Sequence, residues 1–227
     1  MKAHISTSNE KTGLPSFNLL AGAMDTPYTG YTPKACEKDG TTGTCNGTCP
    51  GCYALRMTRY TACYENYREN TKLALSGDYK TIFSTVHAFL TVYEPRRFRI
   101  HDSGDFPSLS YMEMWDMIAR LFPETVFYCY TKRIDLLKAF TEKHGRRPAF
   151  VVSVSTWAGI CEEADLIAAG VEDLPRFEYD DGTRPEIASL PHCPAVDKDG
   201  KRTGITCAQC KHCSNAKNGE KWAVYAH

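Results

Sequence analysis

The sequence predicts an α/β fold: a partial (β/α) barrel over residues 1–176, with a small cysteine-rich C-terminal module, 177–227, packed on it. Three observations lead there. Strand-like runs at Arg97-Phe98-Arg99-Ile100, Thr125 to Tyr130 and Phe150 to Val154 each end in a polar corner and run into helical spacing. Such alternation with short connections implies parallel strands joined by right-handed crossovers. No glycine-rich phosphate loop follows the first strand, which favours the barrel over a doubly wound sheet. From Phe177 onward the chain is turn-rich and carries a group of cysteines, and segments that bury little apolar surface are commonly held by metal.

The elements follow in order. Met1 to Lys11 reads as a frayed start, and Leu14-Pro15-Ser16-Phe17-Asn18-Leu19-Leu20 as a first strand ending at Ala21-Gly22. Ala23 to Gly51 is turn chemistry, with glycines, threonines, Pro27, Pro33 and Pro50; a loop that long inside a domain is usually functional. Helical spacing runs from Cys52 to about Ser76 through Leu55, Tyr60, Tyr64, Tyr67 and Ala74, and stops at Gly77. A second helix starts at Asp78 as N-cap and reaches Val92 through Ile82, Phe83, Val86, Phe89 and Leu90. The strand at 97–100 closes in His101-Asp102-Ser103-Gly104-Asp105, before a helix through Met112, Trp115, Ile118 and Leu121. The next closes in Thr131-Lys132-Arg133, before a helix through Leu136, Leu137 and Phe140 to Gly145; the third closes in Ser155-Thr156-Trp157, before a helix through Ala164, Ile167 and Ala168 to Gly170. These polar corners would share one mouth, the end where barrels build their chemistry.

Lys plus Arg and Asp plus Glu both number 27 in the 227 residues, a formal charge of zero. With no long-range attraction to nucleic acid, Arg96, Arg97, Arg99, Lys138, Lys143, Arg146 and Arg147 read as solvated faces and termini. The polar start lacks a signal-peptide core, and nothing approaches the roughly 18 apolar residues of a membrane span. A cytoplasmic protein with no membrane partner is expected. Eleven cysteines are many for such a chain, and a reducing compartment favours metal over disulfides. Seven fall in two groups, Cys45, Cys49, Cys52 and Cys193, Cys207, Cys210, Cys213. Cys63, Cys129 and Cys161 read as small buried hydrophobes, and Cys36 as a spare or alternative ligand of the first group.

In Cys45-Asn46-Gly47-Thr48-Cys49-Pro50-Gly51-Cys52, glycines and a proline let the backbone turn three thiols toward one point. Structural zinc usually takes four ligands. Three thiolates suit a cubane iron-sulfur cluster with one iron left open to a small molecule, and a zinc loop completed by Cys36 is the alternative. The CxxxCxxC loop resembles the defining motif of the radical S-adenosylmethionine (SAM) enzymes, although Gly51 stands where that family usually has an aromatic residue and Tyr53 follows the third cysteine. The resemblance implies a barrel of the radical SAM type and a 4Fe-4S cluster on Cys45, Cys49 and Cys52 whose open iron is chelated by SAM. It also implies release of a 5′-deoxyadenosyl radical and a low-potential electron donor such as a flavodoxin or ferredoxin. Cys193-Pro194 with Cys207-Ala208-Gln209-Cys210-Lys211-His212-Cys213 resembles the ligand pattern of ferredoxin-type four-iron clusters, which would make two 4Fe-4S clusters. A four-cysteine zinc site, with His192 or His212 as substitutes, is the alternative.

Asp102, Ser103, Gly104 and Asp105 form the densest polar corner. Gly104 permits close backbone approach to a ligand, and the carboxylates suit SAM's ribose hydroxyls or ammonium group; an Asp-rich turn capping the next helix at Ser108 or Ser110 accounts for the same residues. Thr131 and Lys132, beside Arg133, suit the SAM carboxylate or an anionic substrate, and Ser153 and Ser155 of the third strand complete the candidate cofactor-binding set.

A second resemblance rests on Leu14-Pro15-Ser16-Phe17-Asn18-Leu19, Cys52-Tyr53-Ala54, Phe98-Arg99-Ile100-His101-Asp102-Ser103-Gly104-Asp105-Phe106 and Tyr128-Cys129-Tyr130-Thr131-Lys132. This ordered set looks like a small phage-encoded family known only by a gene-product number. It is similar, more distantly, to a radical SAM-like phage family with a Cys-Tyr-Ala cluster loop, a Thr-Lys-Arg corner and a Val-Ser-Val strand. The likeness spans about Leu14 to Cys213 and makes a nucleotide, nucleic acid or small peptide plausible as substrate. The competing expectation is a non-catalytic iron-sulfur or zinc protein that binds a nucleic acid or a partner.

Overall fold

A computed structural model describes residues 1–7, 12–26, 28, 39–49, 51–157 and 159–225. Six strands form one open sheet in chain order, with every neighbouring pair parallel. They are β1 (Ser16–Phe17), β2 (Arg97–Ile100), β3 (Val126–Thr131), β4 (Val151–Thr156), β5 (Arg176–Asp180) and β6 (Lys221–Tyr225). Helices α1 (Tyr53–Met57), α2 (Thr61–Ser76) and α3 (Tyr79–Tyr93) connect β1 to β2; α4 (Leu109–Leu121), α5 (Ile134–His144) and α6 (Glu163–Ala169) fill the next three crossovers. Between β5 and β6 lie two single turns, α7 (Pro185–Ala188) and α8 (Cys207–Cys210), and a 3-10 turn at Cys213–Asn215. Parallel strands in sequential order, each joined through helix, are compatible with the expected partial (β/α) arrangement.

Local chemistry accounts for the boundaries. Asp78 caps α3 by accepting from the Thr81 amide, and Ser108 caps α4 by accepting from the Tyr111 amide. Gly77, Gly145 and Gly170 end α2, α5 and α6 in left-handed conformation. Alternation then sorts the strand side chains. Phe17, Phe98, Ile100, Phe127, Cys129, Val152 and Val154 join the helix residues Leu73, Ile82, Val86, Trp115, Ile118, Leu137, Phe140 and Leu166 in the main core. The alternate positions, including Arg99, Tyr130, Ser155, Phe177, Tyr179 and Val224, line a cavity on the other face. Cys161 is also in the core, while Cys63 is half-buried against a smaller cluster of Leu20, Tyr28, Tyr64 and Tyr67.

The structure departs from expectation at three places. The first strand is only Ser16–Phe17, because Asn18 turns inward and its Oδ1 accepts from the Asp102 and Ser103 amides at 2.6 and 3.3 Å. The single helix expected over 52–76 is two, separated where buried Thr58 donates to the Leu55 carbonyl at 2.7 Å and meets the Tyr28 hydroxyl at 2.7 Å. The turn-rich segment after Phe177 supplies β5 and β6, so the sheet runs across the expected boundary at 176/177 and the cysteine-rich segment is threaded between its last two strands. On β5 the charged residues Arg176, Glu178 and Asp180 are the buried ones. They pair with Glu163, with Thr156 and Arg184, and with His192, which disguises the strand as a polar turn. Cys36, with Pro27, Pro33 and Pro50, lies outside the described residues. Among the described residues no helix is long and apolar enough to cross a membrane.

Candidate metal and cofactor site

The predicted cysteine loop is strapped across the C-terminal ends of the first strands. The Cys45 amide donates to the Gly22 carbonyl at 2.9 Å, the Ala23 amide to the Thr48 hydroxyl at 3.1 Å, and the Cys52 amide to the Cys49 carbonyl at 3.2 Å. Cys52 then leads directly into α1. All three free thiols line one cavity, together with Asp102, Ser103, Gly104, Asp105, Lys132 and Ser155. Among the predicted cofactor residues, Thr131 and Ser153 stand apart from this lining. Thr131 is buried with its hydroxyl committed to Asp105 at 2.6 Å, and Ser153 is buried two residues before Ser155 on the same strand.

Asp105 ties the corners together. Its carboxylate accepts from the Thr131 hydroxyl, the Phe106 amide at 2.8 Å and the Lys132 amide at 2.9 Å, while its own amide donates to the Thr44 hydroxyl at 3.0 Å. Burial pushes its carboxyl above the usual range despite those donors. Lys132 is raised as well: burial opposes its charge, but Cys49, Asp105 and Cys45 more than offset this. Its ammonium group lies near Cys49 on the cavity wall and 5.2 Å from the centre of the Trp157 ring. Burial raises the Cys45 and Cys49 thiols.

Asp102 is engaged by protein. Its carboxylate pairs with buried Arg99 at 2.7 Å, and its carbonyl accepts from the Tyr53 hydroxyl at 2.8 Å. The aromatic residue after the third cysteine therefore braces the polar corner. His101 turns its ring into the core, stacked on Tyr111 with Nε2 at 3.0 Å from the hydroxyl; burial and then Arg99 push its pKa down to about 3, which leaves it neutral. Gly104 has φ +85°, and a Cβ there would lie 2.6 Å from Leu19 Cβ and 2.7 Å from Thr44 Oγ1. Its close approach is to two segments of the chain itself.

The second cysteine group shares this cavity, a juxtaposition the one-dimensional pattern does not carry. Cys193, Cys207 and Cys213 line its far side. With Cys210, Tyr128 and His212 they also line a smaller adjoining cavity. The Cys193 amide donates to the Ala223 carbonyl of β6 at 2.7 Å, and Thr206 and Gln209 form a capping box on α8. Between the two groups stands an aromatic wall: Tyr130 against Phe177 with ring centres 4.7 Å apart, and Trp157 stacked on Tyr179 at 4.1 Å. Arg99 lies 5.0 Å from the centre of the Tyr130 ring. His192 is held by Asp180 at 2.8 Å and stacked on Tyr225, whereas His212 meets the Trp222 ring edge-on.

The donor sets are cysteine-rich, the chemistry that thiolate-held clusters and zinc sites both use. Among the described residues no three His, Cys, Asp or Glu side chains converge closely enough to hold one ion, and zinc draws its sulfurs to about 2.3 Å. A cubane cluster is held by thiolates around a wider body. Buried hydroxyls without partners face both cavities, Ser103 at the first and Tyr128 at the second. Each such atom costs about 1–3 kcal/mol unless something satisfies it.

A family model described as Gene product 88 matches residues 2–216, so the chain belongs to the Gene product 88 family, in keeping with the expected kinship to a small phage-type gene-product family. No curated protein and no solved structure matches it.

Proposed function

We propose that this member of the Gene product 88 family is an iron-sulfur enzyme of the radical SAM type, with a cluster on Cys45, Cys49 and Cys52 and a second, fully protein-ligated cluster on Cys193, Cys207, Cys210 and Cys213. The observation that carries the reading is three free thiols at the C-terminal strand ends, on one cavity with a polar corner whose Ser103 hydroxyl is buried and unpartnered. When bound, the first cluster with SAM would supply reductive cleavage of the sulfonium bond and a 5′-deoxyadenosyl radical. The chain's own residues supply placement. Lys132, cationic and beside Cys49, suits a carboxylate at the open iron, and the Ser103 hydroxyl is free to bond a ribose or amino group. Asp105 positions Lys132 through its backbone amide, while the Arg99–Asp102 pair and Tyr53 hold the corner. Trp157, Tyr179, Tyr130 and Phe177 wall the cavity with aromatic rings. A substrate held there lies between the two cysteine groups. Its class, a nucleotide, nucleic acid or peptide, and the low-potential flavodoxin or ferredoxin donor follow from the resemblance alone.

The test is anaerobic purification, iron and sulfide analysis, then incubation with SAM and dithionite. About eight irons and eight sulfides per chain are expected for two four-iron clusters, with 5′-deoxyadenosine formed by the native chain and none by the Cys45→Ala, Cys49→Ala, Cys52→Ala triple variant. Intact clusters with no 5′-deoxyadenosine refute the enzyme. Two zincs and no sulfide refute the clusters as well and leave a passive metalloprotein.

A further inference from the structure

Tyr128 and Tyr130 occupy alternate positions of β3 and so share its cavity face. The Tyr128 ring lines the small cavity together with all four cysteines of the second group. Tyr128 is only 2 % exposed, and its hydroxyl has no hydrogen-bond partner in the protein. Hydroxyls sealed away from water in this way are rare, because the lost hydration must be replaced. Tyr130 lines the main cavity together with Cys213. The turn carrying Cys213 packs directly on β3 and β4, and Cys193, Cys207 and Cys213 line both the small cavity, with Tyr128, and the main one, with Tyr130. No other function described above uses either hydroxyl.

We propose that Tyr128 and Tyr130 are positioning residues that donate hydrogen bonds to the sulfurs of a metal-sulfur group held by Cys193, Cys207, Cys210 and Cys213, and that they set its reduction potential. The inference rests on the cluster reading given under Proposed function. Reduction adds negative charge, which a sulfide or thiolate shares. A donor aimed at sulfur therefore stabilises the reduced form more than the oxidised one and raises the potential. Tyr128 would act on a sulfur of the bound group at the small cavity, and Tyr130 on the Cys213 thiolate. Because the Tyr128 hydroxyl bonds nothing in the protein, its removal leaves every protein–protein hydrogen bond in place.

The test is a spectroscopic redox titration of the full-length chain carrying Cys45→Ala, Cys49→Ala and Cys52→Ala, so that the second group is read alone. It is compared with the same chain bearing Tyr128→Phe, Tyr130→Phe or both. Each phenylalanine is expected to lower the reduced-to-oxidised ratio at fixed potential by about tenfold, a downward move of about 59 mV for a one-electron couple. An unaltered potential in a chain that holds the cluster overturns this inference and leaves the cluster reading standing. Zinc in place of iron and sulfide overturns both. If the triple cysteine background does not fold, the single Tyr128→Phe variant of the otherwise native chain gives two redox waves. One moved wave supports the inference, and two unmoved waves defeat it.

Discussion

Replacing Gly104 by alanine probes how the two halves of the site are clamped together. The added methyl meets Leu19 Cβ at 2.6 Å, Thr44 Oγ1 at 2.7 Å and the Leu19 carbonyl at 3.0 Å, whereas carbon atoms in good contact stand about 3.5–4.0 Å apart. Two of these neighbours belong to or border main chain and cannot rotate away. Thr44 can rotate only by surrendering its bonds to the Asp105 amide at 3.0 Å and the Leu20 carbonyl at 2.9 Å. The left-handed φ of +85° adds about 1–2 kcal/mol for any residue with a Cβ, and overpacking adds about 1–3 kcal/mol. Gly145→Ala isolates the first contribution, since Gly145 has φ +63° and nothing within 4 Å of its would-be Cβ. Urea unfolding at pH 7 should show Gly104→Ala losing about 1–3 kcal/mol more than Gly145→Ala at unchanged m-value. On the proposed cluster reading it should also take up less iron, because Thr44 precedes Cys45. Equal losses in the two variants would refute the packing argument.

Three further outcomes follow. Asp116 is buried and accepts from Arg146 at 2.6 and 2.9 Å, Arg120 at 3.2 Å and the Ala149 amide at 2.7 Å. Burial pushes its carboxyl up, but Arg146 and the Ala149 amide outweigh that and hold it below the ordinary value. Its stabilisation is thus complete above the unfolded pKa of about 3.9 and is lost as pH falls through the lower folded value. Asp116→Asn should cost about 2–3 kcal/mol at pH 7 and flatten the acid limb of stability below about pH 4; an acid limb unchanged by the substitution would count against this. Arg99→Met removes the cation paired with the Asp102 carboxylate, whose side chain is 11 % exposed, and should lose about 1–3 kcal/mol. Adding Asp102→Asn should recover part of that loss in thermal unfolding, and no recovery would mean that the pair is not what Arg99 contributes. Tyr53→Phe removes the brace on the Asp102 carbonyl at a cost of about 1 kcal/mol; on the proposed cluster reading it should lower total iron in the otherwise native chain and leave iron unchanged in the Cys45→Ala, Cys49→Ala, Cys52→Ala background.

The sequence made the middle of the fold legible because β2, β3 and β4 alternate core residues such as Phe98, Phe127 and Val152 with cavity residues, and because Asp78, Ser108 and Gly145 mark helix ends. It hid β5, where alternation holds but the buried set is charged and only its partners Glu163, Arg184 and His192, distant in sequence, reveal why. It hid β6 too, since Lys221 to Tyr225 gains its meaning from pairing with β5. The cysteine groupings were visible as spacing. Their common cavity was not, because sheet order alone brings residues 193–213 beside the loop at 45–52. Gly104 was singled out for approach to a ligand, whereas its neighbours are Leu19 and Thr44, contacts that no local pattern encodes.

The bond between the Cys193 amide and Ala223, and the return bond from the Ala223 amide to Pro191, have a consequence for biosynthesis. A chain emerging from the ribosome exposes its early thiols while most of the sheet is still unmade. The later set gains its rigid frame only when the final strand docks, after long-range pairing that is intrinsically slow. Formation of the two cysteine groups is therefore ordered in time: the early loop exists in the chain well before the frame that fixes the later set.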